Sequence, residues 1–145
     1  VEMGAGVLQP VITRRTQSTR VNLERMRSNA VEAAEQCGII TLPEVREEVN
    51  LDRFLKDLEK DHALVFCDED APIANPVEAL AKLGNKPSGV AVIVGPEGGF
   101  TDQERALVAA HESCVRVSLG PRILRADTAA VAALAIVQSV LGDWN

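Results

Sequence analysis

Two short apolar runs, each followed at once by a loop rich in Gly and Pro and then by a helix-forming stretch, leave this chain few architectures. The first run, Gly89 to Val94, ends in Gly95-Pro96-Glu97-Gly98-Gly99-Phe100. The second, Cys114 to Ser118, ends in Leu119-Gly120-Pro121-Arg122-Ile123-Leu124-Arg125-Ala126-Asp127-Thr128-Ala129. A continuous run of small and β-branched residues marks a strand covered on both faces, as in parallel sheets. Loops at the carboxyl ends of such strands are where open α/β sheets bind ligands. The chemistry is therefore expected between Ile93 and Ala129.

The rest of the chain supports an α/β reading with a mostly parallel sheet and helices on both faces. Val7 to Thr13 reads as a short strand, broken or edged by Pro10. Asn22 can cap a helix with Leu23, Met26, Ala30, Ala33 and Cys37 on one face, and Gly38 ends it. Ile39 to Val45 is a connector with room for a short strand. Asn50 can cap a second helix through Leu51, Phe54, Leu55 and Leu58. Ala63 to Cys67 is a compact strand. The acidic stretch Asp68-Glu69-Asp70, with Pro72, reads as an exposed charged loop, and Pro76 suits the first turn of a short helix through Leu83. Thr101 and Glu104 form a capping-box pattern that starts a helix after the first Gly/Pro loop. A helix from about Asp127 to Leu141 is apolar nearly all round, which predicts burial on more than one side, against the sheet and a second subunit.

Composition narrows the function classes. With 145 residues, 46% of them apolar, the chain fits one domain with a real core. A net charge of −6 argues against a protein that simply coats nucleic acid. The charge is uneven, however: Arg14, Arg15, Arg20, Arg25 and Arg27 face only Glu24 between Thr13 and Arg27. That stripe can engage phosphates, or it can be a solvated helix face. Cys37, Cys67 and Cys114 are far apart and odd in number, which suits reduced thiols in the cytoplasm better than disulfides or zinc. His62 and His111 stand alone, so no metal site is expected. No secretory signal is visible, and the longest apolar stretch is too short for a bilayer core of about 30 Å. The start at Val1 is read as the edge of a fragment.

In the first loop, Gly95, Gly98 and Gly99 let the backbone approach a ligand, and a helix start beyond them favours anions. The loop lacks both GxGxxG and the Lys-Ser/Thr of a P-loop, so a tight strand-to-helix turn without a ligand remains open. In the second loop, Ile123-Leu124 offer an apolar wall for a flat ring, while Arg122 and Arg125 suit a phosphate or a developing oxyanion. Asp127-Thr128 would serve as a helix cap even without function.

Taken together, the two loops with Glu104 resemble the signature of the RsmE family, SPOUT-class methyltransferases. Pro10-Val11-Ile12-Thr13 with Arg15, Ala33-Ala34-Glu35-Gln36-Cys37-Gly38 and Pro43-Glu44-Val45 agree with it, so the resemblance covers nearly the whole chain. It implies methylation of uridine N3 in small-subunit (16S) ribosomal RNA, with S-adenosylmethionine as cofactor. It also implies a SPOUT-type fold with a C-terminal trefoil knot over residues 1–145, a homodimer, and a PUA-like domain upstream. By position, Val94, Gly95, Pro96, Glu97, Gly98, Leu119, Gly120, Ile123, Leu124, Arg125 and Thr128 would bind the cofactor. For the reaction itself, uracil N3 must lose its proton, and Glu97 is the leading candidate for general base, the alternative being that it holds a loop backbone; Arg125 or Arg122 would stabilise charge on the uracil oxygens. Arg14, Arg15 and Arg20 would touch RNA. Asp127 stands where the family usually has Glu, and Ile39 where it often has Arg. Two other readings remain: a non-catalytic dimeric RNA-binding fragment, and a SPOUT methyltransferase acting on another RNA.

Overall fold

The computed structural model describes residues 1–17, 20–71, 75–83 and 87–144. In chain order the elements are β1 (Val7–Leu8), β2 (Val11–Ile12), α1 (Leu23–Cys37), β3 (Glu44–Val45), β4 (Val49–Asn50) and α2 (Leu51–Asp57). Then follow β5 (His62–Cys67), α3 (Pro76–Ala81), β6 (Gly89–Val94), α4 (Asp102–Ala109), β7 (Cys114–Val117) and α5 (Ala126–Val140). The local signals act as their chemistry requires. The Asn22 and Asn50 side chains accept the amide N–H of Arg25 and Arg53, at 2.9 and 2.8 Å, and Gly38 ends α1 at a φ of 66°. Pro76 opens α3 behind the Asn75 cap.

The centre is a three-stranded parallel sheet in the order β6-β5-β7. Side chains alternate across β5, so Leu64 and Phe66 enter one core with Leu51 and Leu55 of α2, Ile93, Phe100 and Val108 of α4. Val65 enters the other core with Leu80 of α3, Val117 and Val137 of α5. Each fully buried side chain of this size contributes about 1.5–3 kcal/mol, which makes β5 the mechanical centre. Helices on both faces and parallel pairing follow the sequence expectation. The β5–α3–β6 crossover lies on one face and β6–α4–β7 on the other. The final residues of all three strands, Cys67, Val94 and Val117, are paired side by side.

In the amino-terminal part the strand expected from Val7 to Thr13 is broken at Gln9-Pro10, as Pro10 leads one to expect, and the two pieces, β1 and β2, pair in parallel with different partners, β3 and β4. Pro10 has no N–H to give a ladder, and its carbonyl instead accepts the Val49 amide at 3.1 Å. The described strands thus form three small parallel sheets rather than one. The helix expected through Leu83 ends at Ala81, and Pro72 lies outside the described residues. At α5 the N-cap is Arg125, without a side-chain cap bond, so Asp127 and Thr128 lie inside the first turn and do not cap it. α5 packs on β6 and α3, while Val131 remains 49% exposed.

Candidate functional site at the carboxyl ends of the strands

A cavity of about 620 Å³ opens where the three central strands end. It is lined by the segment after each strand: Cys67–Glu69 after β5, Gly95–Phe100 after β6, and Ser118–Ala126 after β7, with Val94, Arg105 and Ala129. That volume falls in the range of small-molecule sites, about 300–1,000 Å³.

The first loop is held from beneath. Phe100 is buried edge-on against Phe66, with ring centroids 5.3 Å apart and planes at 82°. A Cβ on Gly95 would come within 3.0 Å of the Phe100 ring, so this position needs glycine for space. Pro96 and Gly99 close a turn through a 2.7 Å backbone bond, with Gly99 at a φ of 67°. Beyond it, Thr101 and Glu104 complete the capping box in both directions. Glu104 does more than cap. Its Oε2 accepts the N–H and hydroxyl of Thr101, both at 2.9 Å, and its Oε1 accepts the Arg14 N–H at 2.8 Å. Burial pushes this carboxyl up, but the amide groups of Arg14 and Thr101, the Thr101 hydroxyl and the Arg14 charge together hold it below the usual glutamate value.

The cavity floor was the part hidden from sequence reasoning. The Asp68 side chain is fully buried, not part of an exposed charged loop. It accepts from Nε and Nη2 of Arg116, at 2.9 and 2.6 Å, and from Nη1 of Arg105. Arg105 reaches Glu69 and Asp70 as well, at 3.2 and 3.1 Å. The Arg105 Nε is buried with no partner among the described residues. Asp68 thus ties the helix after the first loop to the strand before the second. Cys67, Asp68, Glu69 and Arg105 were missed as lining residues. The rule that pointed to the ends of β6 and β7 applies equally to β5, and it could have found the first three.

The residues expected to bind cofactor come together, with one exception. Val94, Gly95, Pro96, Glu97, Gly98, Leu119, Gly120, Ile123, Leu124 and Arg125 all line the cavity; Thr128 does not. The Thr128 N–H and hydroxyl donate to Asp127, at 2.8 and 3.4 Å. Gly120, at a φ of 102°, bends the second loop, and its N–H donates to the Ser118 hydroxyl at 3.3 Å. Glu97 and Arg122 are exposed at the rim with no hydrogen bond among the described residues, so Glu97 does not hold the loop backbone. Arg125 is exposed and pairs with Asp127 at 3.3 Å. Arg14, Arg15 and Arg20 are exposed, and the Arg14-Arg15 turn rests on the first loop through an Arg15 bond to the Gly98 carbonyl at 2.9 Å. At the opposite, amino end of β5, the ligand atoms of Glu59, Asp61 and His62 gather on the surface within 4.8 Å of one another. No helix among the described residues is long and apolar enough to cross a membrane.

The chain is similar in sequence and fold to known proteins. Ribosomal RNA small subunit methyltransferase E of Rickettsia conorii is 35% identical over 138 residues, covering 94% of this chain and 55% of that protein. Its Synechocystis namesake is 35% identical over 142 residues, covering 97% of this chain and 46% of that protein. The chain therefore spans about half the length of the relatives it matches. The crystal structure of the Neisseria gonorrhoeae enzyme of the same name, bound to S-adenosyl methionine, superposes with a TM-score of 0.80. It is 33% identical and covers 99% of this chain and 59% of that one. The model of the RNA methyltransferase domain matches residues 1–138. The chain belongs to that family, as its resemblance to RsmE implies.

Proposed function

We propose that residues 1–145 form the methyltransferase domain of an S-adenosylmethionine-dependent enzyme acting on uridine N3 of 16S ribosomal RNA. The observation that carries this reading is the convergence of both signature loops on one cavity of ligand size, in a chain similar to an enzyme with S-adenosyl methionine bound. The residues fit the cofactor. Leu119, Leu124 and Val94 offer apolar surface for the adenine ring, and the backbone groups of the two Gly/Pro loops that line the cavity offer donors and acceptors for the cofactor's polar end. When bound, S-adenosylmethionine supplies a methyl group activated on a sulfonium.

The chain's own residues then have three tasks. The two loops hold the reactants in line, because methyl transfer depends mainly on position and electrostatics. Glu97, exposed at the rim and unbonded, takes the N3 proton of the uracil as general base. Arg122 or Arg125 stabilises the charge that spreads onto the uracil oxygens. Arg14, Arg15 and Arg20 offer charge to RNA phosphates.

The same reading includes a trefoil knot in the C-terminal segment, a cytoplasmic location and a homodimer with the cavity near the subunit boundary. The exposed Ile123 at the cavity rim, 91% accessible, favours a second copy covering the cavity, and Val131 on α5 is further exposed apolar surface. Isothermal titration with S-adenosylmethionine tests the core of the proposal. Saturable binding near one site per subunit supports it; a folded chain that ignores the cofactor sinks it.

A further inference from the structure

Arg15 stands outside the cavity lining, yet it holds the cavity's first loop. Its Nη1 donates to the Gly98 carbonyl at 2.9 Å, and a Cβ on Gly98 would meet the Arg15 Cβ at 3.2 Å. The preceding residue is fixed separately, since the Arg14 N–H donates to the buried Glu104 at the start of α4. The turn that carries both arginines is itself closed. The Thr16 N–H donates to the Thr13 carbonyl at 3.2 Å, and the Thr16 hydroxyl accepts the Thr13 N–H at 2.9 Å. The arginine turn and the first loop are therefore joined at two points, one in the loop and one in the helix that the loop feeds.

A guanidinium carries five N–H donors in a rigid fork, and the Gly98 carbonyl occupies only one of them. The Arg15 side chain is exposed, so a phosphate can take a bidentate pair of donors while the carbonyl bond persists. We infer that Arg15 is a positioning residue: it bridges the Gly98 carbonyl to an RNA phosphate, so that RNA and cofactor each strengthen the binding of the other. This rests on the function proposed above. Coupling of this kind is reciprocal by thermodynamic necessity and typically amounts to about 5–150-fold in affinity.

The test is calorimetric titration of S-adenosylmethionine into the wild type and into Arg15→Ala, each with and without a 16S ribosomal RNA transcript. The bridge predicts that Arg15→Ala, which removes the hydrogen bond to the Gly98 carbonyl, weakens cofactor binding about fivefold without RNA. It also predicts that the transcript tightens cofactor binding to the wild type and leaves the variant unchanged. The sign is informative. The cofactor is a cation, so loss of a positive charge by simple electrostatics would strengthen its binding. Arg15 is exposed, so the thermal midpoint of the variant should stay close to that of the wild type. Equal cofactor affinity in the two proteins overturns the bridge, as does a wild type indifferent to the transcript. A wild type that takes no cofactor at all overturns the bridge together with the function it rests on.

Discussion

Arg116 sets its Nε and Nη2 on a single oxygen of Asp68, at 2.9 and 2.6 Å, and that carboxylate is fully buried. The other oxygen accepts Nη1 of Arg105, from a different element, and the Asp70 N–H at 3.1 Å. Removing one partner of a buried ion pair strands the rest, at a cost of about 3–5 kcal/mol. Asp68→Ala should therefore lower unfolding stability by an amount near the bottom of that range, because Arg105 keeps Glu69 and Asp70. Arg116 is 36% exposed, so solvent screens its side of the pair and Arg116→Ala should cost distinctly less. Urea unfolding of both variants checks the order. An Asp68→Ala loss smaller than the Arg116→Ala loss would show that the network is not organised around the carboxylate.

Glu104 predicts the acid limb of stability. Its folded-state value lies below the ordinary 4.5, so the unfolded chain binds the proton more readily. The stabilisation is then fully present above about pH 4.5, and it is lost as pH falls through the lower folded-state value. Glu104→Gln should destabilise the protein at pH 7 and should show a shallower fall in stability below pH 4.5 than the wild type. Urea midpoints across the acid range report this directly, and parallel curves for the two proteins would refute it.

Those two carboxylates also mark what the sequence can reveal. The capping half of Glu104 was legible, because Thr101 stands three residues away and helix caps are local chemistry. Its other half, the bond to Arg14, joins residues 90 positions apart, and no pattern announces it. Asp68 was misread for the same reason: its arginines lie 37 and 48 residues downstream, so only the fold shows that an acidic stretch begins inside the protein. Of the two-residue strands, β1 and β2 fall within the expected Val7 to Thr13 strand and β3 within the expected connector, but β4 and all four pairings escaped, because the pairing is wholly non-local, as with Val11 opposite Val49. The cavity itself was largely legible. Parallel strands put their ligand loops at one end, and the glycines, prolines and apolar runs located two of the three.

The thiols should react very unequally. Burial pushes Cys67 up to about 12 and Cys114 up to about 11, whereas Cys37 is exposed at the end of α1. The nucleophile is the thiolate, so at pH 8 a disulfide reagent should modify Cys37 quickly and the other two only on unfolding. Absorbance of the released thiol, followed with and without denaturant, gives the count. Fast modification of Cys67 in the folded protein would mean that the cavity floor opens far more than its packing indicates.

Glu97 offers the sharpest separation of binding from chemistry. Its carboxylate lines the cavity rim, accepts no hydrogen bond among the described residues, and supports no neighbouring backbone. Replacing it with Gln keeps the size and removes the basicity. In the proposed reaction Glu97 is the general base, a role that contributes about 10²–10⁴-fold, so Glu97→Gln should reduce single-turnover methylation of 16S ribosomal RNA by about a hundredfold or more. The cofactor dissociation constant should change little, since no structural bond is lost. Turnover equal to that of the wild type would remove Glu97 as the base and pass the task of anion stabilisation to Arg122 and Arg125 alone. A large loss of cofactor affinity with turnover preserved at saturation would instead place the carboxylate in ground-state binding.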